Sequence, residues 1–178
     1  MTNVINLFGG PGSGKSTLAA DLFAAMKKKG LNVELVTEYV KGWAWEGKIV
    51  GKFDQIYLLG KQTHLESRLY GKVDYIITDS PIMLCPFYEF HYYGIEIALP
   101  AAKEFLKVAK DTGIKHYNFW LPSMHKYDAK GRYQTAKEAE KLTLEMSQYL
   151  MTKAGLDFYG IPFDGNSVEY ILKYVEGE

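Results

Sequence analysis

Gly9, Gly14, Lys15 and Ser16 satisfy the spacing G-x-x-x-x-G-K-[ST] within "FGGPGSGKST", residues 8–17. Glycine otherwise weakens packing, so a cluster of glycines directly before an amphipathic run needs a reason of its own. Phosphate supplies it. The backbone N–H groups of such a loop can turn inward around phosphate oxygens without Cβ clashes, and the start of the following helix adds positive charge. In that arrangement Gly9, Gly10, Gly12, Ser13, Gly14 and Thr17 complete the cradle. Lys15 reaches the β- and γ-phosphates, and the Ser16 hydroxyl can coordinate Mg²⁺. The competing reading is a flexible glycine turn with a chance lysine. A strand-like run before the loop and a helical stripe after it argue against that.

Other residues carry chemistry that fits a phosphate site. Asp79, in "YIITDSP", ends a buried run, where a side chain faces the nucleotide crevice and can hold a metal directly or through water. The alternative is a turn or capping aspartate before Pro81. Glu38, in "TEYVKGW", follows the second strand, close to the transferred phosphate, where a carboxylate can accept or orient the proton of an attacking hydroxyl. It could equally cap a helix over 39–46. "MHKYDAKGRYQT", 124–135, is a polar loop able to close over ATP and exclude water, with Arg132 stabilising charge on the transferring group. The alternative is an ordinary solvated loop.

Gln55, Leu59 and Gln62 share one helical face, and two amides among leucines can read a base edge or sit as half-exposed polar groups. "PFYEFHYY", 86–93, with Trp43 and Trp45, offers aromatic surface for stacking, or core. Arg68 and Arg132 are the only arginines among 21 basic residues. Guanidinium grips phosphate in a bidentate way, so this scarcity favours a hydroxyl acceptor without a phosphate. If the acceptor does carry one, Arg68 is the arginine outside the loop, with Lys41, Lys48, Lys52 and Lys61 as weaker cations. His64, His91, His116 and His125 show no ligand spacing with Cys85, which excludes a structural zinc site.

Elements must position these groups. "NVINLF" (3–8) reads as a strand, followed by a helix over 15–29 from Leu18, Leu22 and Met26. Further strands are expected at 31–37, 73–79, 115–121 and about 157–161. Helices are expected at 53–70, 95–111, 136–154 and 167–176. Strands alternating with helices imply parallel pairing with helices on both faces. Residues 1–178 read as one α/β domain.

The chain has 178 residues, 47% of them hydrophobic, enough for a sizeable core and against disorder. Acidic and basic residues balance at 21 each, so no global bias points to nucleic acid, although a local basic patch leaves it open. The lone Cys85 excludes an intramolecular disulfide framework and fits a reducing, cytoplasmic setting. No apolar run approaches a membrane span and no signal peptide is evident. No [NT]-K-x-D guanine signature follows an apolar strand, which argues against a Ras-type GTPase.

The order of the glycine loop, "TEY", "TDSP" and the "YDxxGR" lid resembles the P-loop nucleoside and nucleotide kinases, most of all the nicotinamide-riboside-kinase-like ATPases. The resemblance implies a three-layer sandwich with a five-stranded parallel sheet in the order 2-3-1-4-5 and a mobile lid over 122–135. It implies ATP and Mg²⁺, with Glu38, Asp79 and Arg132 as acceptor-side carboxylate, third-strand acid and lid arginine. "FDGNSVEYI" (163–171) matches the family's segment beside adenine and brings in Asn166. Acceptor residues, among them Tyr39, Gln55, Gln62 and Arg68, fall within 38–70 and 80–94. "DSP" stands where deoxynucleoside kinases carry an acid-arginine-serine, so the acceptor stays open between a nucleoside, a nucleotide and a polynucleotide 5′-hydroxyl. The rival class is an ATPase module serving a protein or nucleic-acid partner. Homodimerisation is compatible with either.

Overall fold

Strand β1 (Asn3–Phe8) is buried along nearly its whole length, so it needs cover on both faces. The computed structural model, which describes residues 1–122, 136–162 and 165–177, places it at the centre of the sheet. Its neighbours are β3 (Tyr75–Thr78) and β4 (Lys115–Trp120), both parallel to it, in registers Ile5↔Ile77 and Ile5↔Tyr117. β2 (Val33–Val36) flanks β3, and the two-residue β5 (Tyr159–Gly160) flanks β4. The order β2-β3-β1-β4-β5 is the expected one.

Side chains alternate across a strand, which divides the core in two. Ile5 and Leu7 face α1 (Lys15–Lys28) and α7 (Ser167–Glu176), meeting Leu22, Met26 and Ile171. Val4 and Phe8 face the opposite layer: α3 (Asp54–Ser67), α4 (Leu84–Tyr93), α5 (Ala98–Asp111) and α6 (Ala136–Tyr149). Each fully buried Leu, Ile or Phe here stabilises by roughly 1.5–3 kcal/mol. A six-residue α2 (Val40–Trp45) bridges β2 to α3 and buries none of its side chains.

Several boundaries differ from expectation. α4 carries the stretch 86–93, expected as aromatic surface or core but not as a helix, because its apolar residues run nearly unbroken and show no 3.6-residue stripe. Pro86 is tolerated in its first turn, where an N–H has no helical partner anyway. Phe87 and Glu89 are buried, whereas Tyr92 is exposed. The helix expected over 136–154 changes to a π-helical turn at Leu150–Ala154, which Gly155 ends in the left-handed region at φ 76°. The segment 122–135, apart from Pro122, lies outside the described residues, and Arg132 with it.

Candidate functional site

The sharp turn from Phe8 into α1 depends on backbone angles that only glycine adopts freely. Gly9, Gly12 and Gly14 have φ of 151°, 84° and 90°. A Cβ on Gly9 would lie 2.6 Å from Ser13 Oγ and 2.9 Å from the Leu121 carbonyl oxygen. Gly14 is the N-cap of α1, and the first turn of that helix holds no acidic residue. Its exposed N–H groups and dipole are thus left for an external anion.

Lys15 curls over the loop and donates from Nζ to the carbonyl oxygens of Gly9, 2.8 Å, and Gly10, 2.9 Å. The Ser16 hydroxyl donates to Asp79 Oδ2 at 2.6 Å, joining the start of α1 to the end of β3. Two buried atoms at this junction lack a hydrogen-bond partner among the described residues: Ser13 Oγ and Asp79 Oδ1. Buried polar groups are seldom left so, and a ligand in the cradle is the natural partner. Among the described residues, no cluster of three His, Cys, Asp or Glu side chains can hold a metal. Ser16 and Asp79 alone fit Mg²⁺, which takes few protein ligands and keeps water and phosphate oxygens. Thr17 is exposed on the first turn of α1.

Glu38 stands in the short connection after β2. Burial pushes its carboxyl above the usual carboxylate range, nearby Asp79 adds to this, and Lys15 and Lys41 oppose it. The same carboxylate contributes to raising the Cys85 thiol, to about 12, and the Tyr88 hydroxyl, in both cases after burial. Glu38 thus sits between the glycine loop, the end of β3 and the first turns of α4. It does not cap α2, whose N-cap is Tyr39 with no side-chain capping bond.

Gln62 reaches this connection from α3. Its Oε1 accepts from the Tyr39 N–H at 3.2 Å, and its Nε2 lies 3.5 Å from the Thr37 carbonyl oxygen. The chain itself therefore uses the Gln62 amide, which holds the segment that carries Glu38. Gln55, about two turns earlier on α3, is 5% exposed and has no such bond among the described residues. The Tyr39 hydroxyl meets that of Tyr57 at 3.1 Å, and Trp43 stacks on Tyr57 with centroids 5.8 Å apart. Arg68 is not brought to the site. It is the exposed C-cap of α3, three residues before Gly71, whose N–H bonds Thr2 at the opposite, strand-starting edge of the sheet. Asn166 is exposed at the N-cap of α7, on the strand-ending edge that also carries the glycine loop.

Three residues escaped the sequence reading. Thr143 of α6 lies against Gly10, where a Cβ would come within 1.8 Å of its Oγ1. Glu89 of α4 accepts the Ala98 N–H at 2.8 Å and fixes the start of α5. Glu66 of α3 is fully buried and accepts a 2.5 Å hydrogen bond from Tyr70. No local signal marks Thr143 or Glu66. Glu89 had one, a lone acid amid apolar residues.

A five-stranded parallel sheet in this order, with a glycine cradle at the end of its central strand, defines the fold of the P-loop nucleoside and nucleotide kinases. A family model described as an AAA domain matches residues 4–166, and the chain belongs to that family. A search of the curated proteins found no match. Among solved structures the chain is similar to NadR protein in complex with NR, with TM-score 0.70 and 15% identity, over 98% of this chain and 52% of that one. It is also similar to deoxyadenosine kinase from M. mycoides with bound dATP, with TM-score 0.53 and 14% identity, over 97% and 98%. The chain spans about half the length of the NadR protein. No described helix is long and apolar enough to cross a membrane.

Proposed function

We propose that the chain transfers the γ-phosphoryl group of ATP to a hydroxyl of a nucleoside or nucleotide-like small molecule. The observation that carries this reading is Glu38, a carboxylate beside Asp79 and Lys15 that no helix end uses. The glycine loop and Lys15 hold the phosphates, and Ser16 with Asp79 would hold Mg²⁺. That ion, when bound, neutralises charge on the phosphate oxygens. Glu38 accepts or orients the proton of the attacking hydroxyl. Residues 122–135 act as a lid that brings Arg132 to the transferring group, and Asn166 lies beside the base of ATP. The acceptor lies between 38–70 and 80–94, with Tyr39, directly after Glu38, and Gln55 among its contacts. The similarity to a deoxyadenosine kinase and to a protein solved with NR supports a nucleoside-like acceptor. A single domain in a reducing cytoplasm suits the lone thiol.

A second reading, an ATPase module coupled to a partner, draws on the AAA-domain family and on exposed Trp45, Ile49 and Phe53 beside the site. Glu38→Gln separates the two. The amide keeps shape and loses the charge, so phosphoryl transfer falls by roughly 10²–10⁴-fold, the range of a positioned acid–base group. ATP affinity stays near wild type, because the cradle is untouched. The measurement is steady-state ADP release with a panel of nucleosides, monophosphates, nicotinamide riboside and a 5′-hydroxyl oligonucleotide. Full transfer by Glu38→Gln overturns the proton-accepting role of Glu38, and no acceptor stimulating ADP release overturns the kinase reading.

A further inference from the structure

Away from the glycine loop, α5 and the segment 155–159 leave an open cleft of about 730 Å³ over β1 and β4. Its floor breaks the apolar pattern of that sheet face. Val4 and Phe8 flank Asn6 on β1, and Asn6 pairs in register with Asn118 on β4, two residues on from His116. Polar side chains in mid-sheet cost stability unless their hydrogen bonds are met. Here they are met only in part. Asn6 Nδ2 donates to Asn118 Oδ1 at 2.9 Å and lies 3.2 Å from His116 Nδ1. Asn118 Nδ2 lies 3.3 Å from the Asp157 carbonyl oxygen. Where His116 Nδ1 is the acceptor, both Asn6 hydrogens are used, and Asn6 Oδ1 accepts from no described protein group. That oxygen is not sealed away as an unmatched buried atom, so the floor presents an acceptor open to the cleft.

The walls and mouth supply the rest of a recognition pattern. Met83, Leu106 and Phe158 line the sides, a setting for a flat ring. Lys107, Lys110 and Lys115 stand at the mouth, and Asp157 is the one acidic lining residue. The volume suits a metabolite of nucleotide size. We propose that this cleft binds a heterocyclic phosphate of mononucleotide size, an amino group on its ring donating to Asn6 Oδ1 and its phosphate among the lysines. Two segments give the cleft a line to the glycine loop. Phe8 directly precedes Gly9, and Pro81–Met83 follow Asp79 at a distance of two to four residues. The proposal is independent of the phosphoryl-transfer reading.

The test is ¹⁵N NMR of the full chain with a non-hydrolysable ATP analogue present, titrated with 5′-AMP. Saturable shifts are expected at the Asn6 and Asn118 side-chain amides and the Leu156 N–H, without matching shifts from Gly9 to Thr17. Adenosine and ribose 5-phosphate, each lacking half the pattern, bind at least about tenfold more weakly than AMP. Lys110→Glu/Lys115→Glu, at exposed positions, weakens AMP by roughly tenfold, from two screened rim charges reversed. The cleft resonances report whether or not the analogue binds, so failure of the kinase reading leaves the result readable. The proposal is overturned if those amides stay still up to about 10 mM AMP, weaker than metabolite sites need. It is equally overturned if charge reversal leaves the affinity unchanged, or if either half-ligand binds as tightly as AMP.

Discussion

Gly10→Ala tests how the glycine loop is supported from behind. A Cβ at this position would lie 1.8 Å from Thr143 Oγ1, 2.8 Å from Thr143 Cβ and 3.1 Å from its Cγ2. The hydroxyl cannot simply rotate away at no cost, because it donates to the Ala139 carbonyl oxygen at 2.6 Å and is tied to its own helix. Either α6 moves or the loop does. Inserting a methyl group into such a contact costs about 1–3 kcal/mol. In a chain of this size each kcal/mol lowers Tm by roughly 2–4 °C. ATP affinity falls as well, because the displaced loop no longer aims its N–H groups. Thr143→Ala removes the two outer atoms and leaves only the 2.8 Å contact, which a small shift of α6 relieves. Alone it is close to neutral, since alanine favours the helix by a few tenths of a kcal/mol. Combined with Gly10→Ala it restores about 1–2 kcal/mol, the coupling expected of touching side chains. The assay is thermal and urea unfolding of the four proteins in the cycle, with nucleotide binding by calorimetry. Wild-type stability and affinity in Gly10→Ala, or no relief from Thr143→Ala, would refute the placement of α6 against the loop.

Three further outcomes are expected. Lys15→Ala removes nearly all turnover and weakens ATP binding with the fold intact; calorimetry and ADP release check this, and near-normal turnover in the folded variant removes the nucleotide-site assignment. Arg132→Ala lowers kcat on the order of 10³-fold, by analogy with an arginine finger, with little change in ATP affinity; an unchanged kcat returns 124–135 to a plain loop. Glu66 and His116 lie 3.8 Å apart, with the carboxyl raised by burial to about 7 and the imidazole lowered by burial to about 4. Ionising Glu66 thus favours unfolding, a loss that starts at the unfolded value of 4.5 and is complete once pH passes about 7. Glu66→Gln removes that loss, so at pH 8 the variant is the more stable by up to about 3 kcal/mol, and the difference vanishes below the unfolded pKa. Urea unfolding across that pH range checks it, and a gap independent of pH refutes it.

Local pattern carried the parts of this protein that depend on neighbours in sequence. The glycine loop is legible because its turn, its helix start and its lysine all lie within ten residues. Strand and helix alternation is legible because burial on both faces leaves continuous apolar runs, and those runs with right-handed crossovers leave few sheet orders. What stayed illegible did so for the same reason: α4 is buried on too many sides to show a stripe, and the spacing of Gln62 fits a base-reading amide and a half-exposed polar group alike. Only the folded chain decided that Gln62 holds the Tyr39 N–H, 23 residues away in sequence, and that Ser16 meets Asp79 across 63. It also decided that Arg68 falls at the far edge of the sheet and that Thr143 closes on Gly10. Such contacts arise from how layers stack, and the residues that make them have no constraint on one another until the sheet has set their positions.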